Sequence, residues 1–179
     1  MDQRQRERNV LVLEWFDALV FSLTLVLLIL LFVVRTVNVD GQSMVPTLQN
    51  GDQLIAYSLF YEPERGDVVV VDGYTSFGQP LVKRVIAVGG DEVDINFENG
   101  EVAVNGALLQ EDYISDLTQQ QYDIRFPVTV PEGCVFLMGD NRPYSIDSRH
   151  SDIGFIDKRD LLGKVIFRLL PLRSIGSIA

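Results

Sequence analysis

The chain has 179 residues, 47% of them hydrophobic, a formal net charge of −10 and a pI near 4.5. That length suits one compact domain plus an appendage, and the acidic balance opposes binding to nucleic acid, whose affinity for proteins comes largely from Lys and Arg. A single Cys and a single His exclude an intramolecular disulfide and fall short of the ligand set of a zinc site.

The first element is an apolar run. Ala18 to Val34 carries no charge, and Val10 to Phe16 extends it with one interruption at Glu14. As a helix, Val10 to Val34 reaches roughly 37 Å, enough to cross a hydrocarbon core of about 30 Å. A secretory leader has a shorter apolar region and a small-residue cleavage site, which Phe32-Val33-Val34-Arg35-Thr36 does not supply. Arg4, Arg6 and Arg8 precede the run, while Arg35 alone follows closely. The positive-inside bias therefore predicts a cytoplasmic segment 1–9, a single-pass anchor 10–34 and an extracytoplasmic domain 35–179.

Beyond the anchor the pattern is mainly β. Strands are predicted at 53–57, 67–71, 81–88, 92–97, 101–104, 135–138 and 164–170, with hairpin turns at Asn99-Gly100 and Asn105-Gly106. Pro127 and Pro131 mark 122–131 as an edge strand or loop, and 157–162 is a candidate short helix.

Three stretches carry possible chemistry. In Gly41-Gln42-Ser43-Met44-Val45-Pro46-Thr47-Leu48, Pro46 stiffens the backbone that presents Ser43. A serine in such a turn is ordinarily a cap, and as a nucleophile it needs a base. In Leu81-Val82-Lys83-Arg84-Val85-Ile86-Ala87-Val88, strand alternation places Lys83 on the face of Leu81, Val85 and Ala87. Those apolar neighbours would lower its pKa by withholding hydration from the ammonium; the alternative is an edge-strand lysine snorkelling to water. Arg84 cannot serve as a base because guanidinium stays protonated. Gly139 to Arg149 packs two Asp, two Arg, Asn and two Ser after an apolar strand. It reads either as a solvated loop or as a buried network in which Asp147 pairs with Arg149 or Arg142.

These stretches, in this order and together with Arg65-Gly66-Asp67-Val68-Val69, Gly90-Asp91, Val104-Asn105-Gly106 and Val130-Pro131-Glu132-Gly133, closely resemble the bacterial type I signal peptidases, in their short single-anchor form. The resemblance implies a catalytic domain of coiled, mixed sheets and removal of signal peptides from exported preproteins on the outer face of the cytoplasmic membrane. Ser43 matches the nucleophile, Lys83 the general base, Ser145 a residue hydrogen-bonded to that lysine, and Asp147 with Arg149 a supporting ion pair. No metal or organic cofactor is implied. Met44, Leu48, Leu81 and Val82 are expected to line shallow pockets for Ala-x-Ala-like cleavage sites, and the bilayer is the other partner. Two positions depart from the family pattern: Gly41 stands where many members place a hydroxyl that assists the oxyanion, and Gly89 where many have Pro. The rival readings are a Ser-His-Asp protease using His150, a self-cleaving repressor with a related dyad, and an inactive membrane-tethered β module.

Overall fold

The computed structural model describes residues 3–72, 78 and 80–178. It divides into two compact units, residues 1–35 and 36–179.

The first unit is one helix, α1 (Gln3–Val33). From Leu11 to Ile29 it is long and apolar enough to cross a membrane, and all its side chains over that stretch are exposed. The two hydroxyls in this span do not need water: Ser22 Oγ and Thr24 Oγ1 donate to the carbonyls of Ala18 and Val20, one turn back, at 2.7 and 2.8 Å. In an apolar medium that local bond removes the desolvation cost of a free hydroxyl.

The second unit is built from short strands, the first of which begins just before the boundary. In chain order they are β1 (Val34–Asn38), β2 (Gln53–Tyr57), β3 (Val68–Val71), β4 (Leu81–Val88), β5 (Glu92–Asn96) and β6 (Glu101–Val104). These are followed by β7 (Ala107–Leu108), β8 (Val128–Thr129), β9 (Cys134–Met138), β10 (Ile156–Asp157), β11 (Leu161–Leu170) and β12 (Gly176–Ser177). The larger sheet has the order β1-β2-β11-β3-β4-β9-β10, with β12 paired to β11; the smaller has the order β7-β6-β5-β8. From β2 onward the pairings run antiparallel.

Most predicted strands fall within one or two residues of these. The candidate helix at 157–162 is instead a 3₁₀ turn at Lys158–Asp160, capped by the Asp157 carboxylate on the Arg159 N–H, after which β11 begins three residues earlier than expected. Of the two Asn-Gly turns, Asn105 and Gly106 both hold positive φ, 53° and 75°, between β6 and β7, whereas at Asn99-Gly100 only Gly100 does, at 77°, because β5 and β6 are joined by a longer four-residue turn. Val128–Thr129 pairs with β5 at the edge of the smaller sheet, in keeping with the prolines on either side.

Three buried clusters fill the domain. One lies under β5, β6 and β9 (Ile86, Val93, Val102, Phe136, Met138), one joins the Met44–Leu48 turn to β2 and β3, and one holds Val69, Val71, Val85 and Leu137. Leu81 and Val85 pack in the third cluster, as alternation along β4 requires. Ala87 departs to the first, because the register of β4 on β9 slips between Val85 and Ala87 and re-aims the side chains that follow.

Candidate active site

β4 and β9 position the site together. Their register pairs Arg84 with Met138, so Gly139, the first residue past β9, comes level with Lys83. The chain that leaves β9 then binds the turn carrying Ser43. Asn141 donates its backbone N–H to the Ser43 carbonyl at 3.0 Å and its side-chain amide to the Gln42 carbonyl at 2.9 Å. A Cβ on Gly139 would collide with both Ser145 Oγ and the Ser43 carbonyl oxygen, so only glycine allows the two segments this close.

Within this frame the Lys83 amine lies 2.7 Å from Ser43 Oγ, forty residues away in sequence, and 3.3 Å from the Val82 carbonyl. Lys83 is only 4% exposed. Burial is the largest influence on its amine and lowers its pKa from 10.5 to about 8; the Asp147 and Asp140 charges oppose the fall and the Arg149 charge adds to it. The snorkelling alternative for Lys83 is therefore excluded: the head group, and not only the stem, is out of water.

Asp147 and Arg149 form a fully buried pair. Arg149 Nε and Nη2 donate to the two Asp147 oxygens at 2.8 and 2.9 Å, and the Gly139 N–H donates to Asp147 at 3.0 Å. Arg149 also donates to the carbonyls of Arg142, Ser145 and Gln120. Of the two arginines open to Asp147, Arg149 is the partner. Arg142 pairs instead with Glu111, donates to Thr118 Oγ1 at 2.5 Å and reaches the Gly139 carbonyl.

Ser145 is completely buried, but its hydroxyl makes no hydrogen bond among the described residues. The bond to Lys83 that the family resemblance implied is thus not made in this conformation; the lysine points to Ser43 and to the Val82 carbonyl. Met44 and Leu48, expected to wall a pocket, are 1% and 0% exposed and belong to the second core cluster. Their apolar bulk anchors the Ser43 turn to β2 and β3 and offers no surface to a peptide. Leu81 and Val82 keep accessible surface. At Gly41 the backbone N–H is taken by Asn50 Oδ1 at 2.9 Å, whereas the Ser43 N–H has no partner among the described residues.

Among the described residues His150 makes no hydrogen bond to Ser43. Its Nδ1 accepts from the Asp152 N–H at 3.2 Å and lies 3.6 Å from the Asp152 carboxylate, while its ring packs edge-on against Tyr122.

Sequence reasoning left out a second buried ion pair. Arg84 grips Asp140, which also accepts from Thr47 Oγ1 at 2.5 Å. A signal was present: an arginine within the otherwise apolar run after Lys83 must find a buried anion, and Asp140 directly follows an apolar strand. Also unanticipated is the stretch from Glu111 to Tyr122, which supplies partners to every arginine here. Tyr113 lies over Arg84 at 4.1 Å, and Tyr122 lies 5.3 Å from Arg149.

A serine hydroxyl held against a dehydrated amine, with the serine N–H left open beside it, has the parts that a hydrolase needs to attack a carbonyl and stabilise the resulting oxyanion. Comparison with known proteins agrees with that class. The family model described as "Signal peptidase, peptidase S26" matches residues 12–170, and the chain belongs to this family of peptidases. It is 39% identical over 176 residues to the "Probable signal peptidase I-1" of Synechocystis sp., covering 92% of this chain and 86% of that protein. It is 33% identical over 184 residues to the signal peptidase I of Bacillus licheniformis, covering 97% of each. A crystal structure of a signal peptidase I from Enterococcus faecalis is similar at 30% identity and a TM-score of 0.48, over 58% of this chain and 97% of that one.

Proposed function

We propose that this chain is a membrane-tethered endopeptidase that removes signal peptides from exported preproteins, with Ser43 as nucleophile and Lys83 as general base. The observation that carries the reading is the 2.7 Å approach of the Lys83 amine to the Ser43 hydroxyl in a dry environment. With its pKa near 8, about one lysine in ten is neutral at pH 7, enough to supply a working base.

Neutral Lys83 takes the Ser43 proton as Oγ attacks the scissile carbonyl. The lysine then returns that proton to the departing amine, leaving the acyl group as an ester on Ser43. Water, deprotonated by the same amine, attacks the ester and frees the enzyme. The free Ser43 N–H is the oxyanion donor. Gly41 contributes no side chain and its N–H is already engaged, so a second donor would come from water or from the substrate's own backbone.

Small side chains before the cut rest against Leu81 and Val82, as in an Ala-x-Ala-like motif. A shallow apolar surface discriminates by only about 1 to 3 kcal/mol per methylene. Tethering supplies further selectivity: α1 spans the cytoplasmic membrane once, with residues 1–9 inside and residues 35–179 on the outer face. Enzyme and preprotein then share one surface at raised effective concentration.

Cleavage of a preprotein by the intact chain tests the assignment. Ser43→Ala and Lys83→Met should each abolish processing while His150→Gln keeps it; processing that survives in Ser43→Ala, or is lost only in His150→Gln, would overturn it.

A further inference from the structure

The segment from Glu111 to Tyr122 belongs to neither sheet, yet it closes the polar network around the proposed base. Glu111 and Thr118 hold Arg142 at the start of the loop that follows β9, and Tyr122 holds its far end. The phenol hydroxyl donates to the Ser145 carbonyl at 3.0 Å, the same oxygen that accepts from Arg149 at 3.2 Å. The Tyr122 ring lies 5.3 Å from the Arg149 guanidinium. Arg149 is held from the same side by the Gln120 carbonyl, and its own carbonyl accepts the Ile124 N–H. One side chain thus restrains both ends of the segment between Ser145 and Arg149.

We propose that Tyr122 is a positioning residue which, through Arg149, fixes how far the Asp147 carboxylate is neutralised where it faces Lys83. The inference rests on the reading of Lys83 as base. The charged groups acting on the Lys83 amine are Asp147 on its own loop, Arg149 paired to it, and Asp140, itself paired with Arg84 from β4. Against Tyr122 stands His150, with Asp152 beside it, and Asp123 follows Tyr122 in the chain and holds Ser151. A guanidinium over an aromatic face is attracted to it, and at a partly buried site this interaction is worth a measurable fraction of the local stability. Without the ring, Arg149 is freer to move toward its three carbonyl partners and solvent. Asp147 is then less compensated, and its field on Lys83 grows.

The sign follows from the two charges. Asp147 favours the protonated amine and Arg149 disfavours it. Loosening Arg149 therefore keeps Lys83 protonated to higher pH, and the acid limb of kcat/KM moves upward.

The test is the pH profile of kcat/KM for the intact chain in detergent or lipid vesicles, with a preprotein substrate, comparing wild type with Tyr122→Phe, Tyr122→Leu and His150→Gln. Tyr122→Leu should move the acid limb up by roughly half a unit and lower kcat/KM at pH 7 several-fold with KM unchanged. Tyr122→Phe, which keeps the ring on Arg149, should move it less, and His150→Gln should leave it in place. An acid limb that stays put in both tyrosine variants while thermal stability falls would overturn the inference and leave Tyr122 a merely structural residue. A wild-type profile with no acid limb near the Lys83 value would instead defeat the reading of Lys83 as base, and the inference with it.

Discussion

Arg84 and Asp140 meet through two hydrogen bonds of 2.9 Å, from Nε and Nη2, with side chains 3% and 0% exposed. Because Asp140 also accepts from Thr47, this one carboxylate ties β4, the exit of β9 and the Ser43 turn together. The pair thus helps to hold Ser43 beside Lys83, although neither of its side chains bonds to either residue.

Removing the carboxylate should be costly. Asp140→Ala removes the carboxylate that Arg84 grips through two hydrogen bonds and frees Thr47, so a loss of about 3 to 5 kcal/mol is expected from denaturant unfolding of the intact chain. Asp140→Asn, which keeps a hydrogen-bonding group, should lose less stability but still reduce cleavage. A variant Asp140→Ala as stable as wild type would show that the pair does not organise the fold.

Activity should rise with pH through an acid limb. As the proposed base, Lys83 would work only when neutral, and its pKa is lowered to about 8. The kcat/KM profile of the free enzyme should therefore climb about tenfold per unit below that value and level off above it. A limb near pH 6.5, the ordinary value for histidine, would point to His150 instead.

Ser145→Ala separates packing from chemistry. The Ser145 hydroxyl is buried without a hydrogen-bond partner, and an unsatisfied buried hydroxyl costs about 1 to 3 kcal/mol. Thermal melts should show the alanine variant equal to wild type or more stable. If cleavage nonetheless falls, the hydroxyl meets Lys83 only in the substrate-bound state, which restores the role that the family resemblance gave it. Lower stability in the variant would mean that the hydroxyl has a partner after all.

The strands were legible because each is a short apolar or alternating run bounded by turn residues, and the apolar helix because its run is longer than a core helix needs. Ser43 and Lys83 were legible as candidates for local reasons, a stiffened turn and an amine among apolar neighbours. Their approach was not: it depends on the β4–β9 register and on Gly139, and neither leaves a local signature. Met44 and Leu48 misled because an apolar residue beside a nucleophile looks the same whether it faces a peptide or the core. The bulge at Val85–Ala87 escaped for a similar reason, since alternation assumes a register that only the partner strand can break.

Gly139→Ala tests that close approach directly. The added methyl would clash with the Ser43 carbonyl and Ser145 Oγ. Ser145 can rotate, but the Ser43 carbonyl is fixed by the Asn141 N–H. Relief must come from parting the two segments, so kcat should fall by two orders of magnitude or more, since misplacement by about 1 Å can cost that much. Unaltered cleavage would mean that the dyad tolerates more play than its packing implies.

The same dehydration that suits Lys83 to the proposed role of base should make it a burden on the fold. In the unfolded chain its amine titrates near 10.5, in the folded one near 8. Between those values the unfolded state binds more protons, so stability contributed by this group rises with pH across that window. Below pH 8 both states are protonated and the full penalty stands, on the order of 3 kcal/mol for a difference of this size. Lys83→Met keeps the packing and removes the charge, while Asp147 and Asp140 retain Arg149 and Arg84 as partners. The variant should therefore be inactive yet more stable than wild type at pH 7, by an amount up to that figure. The gap should narrow from pH 8 and close by about 10.5, because the other groups titrating there are common to both proteins. Denaturant unfolding of the two chains at pH 7, 9 and 10.5 measures it. A methionine variant less stable at pH 7, or a gap independent of pH, would show that the folded protein carries Lys83 without strain and that its amine is not the dry base proposed here.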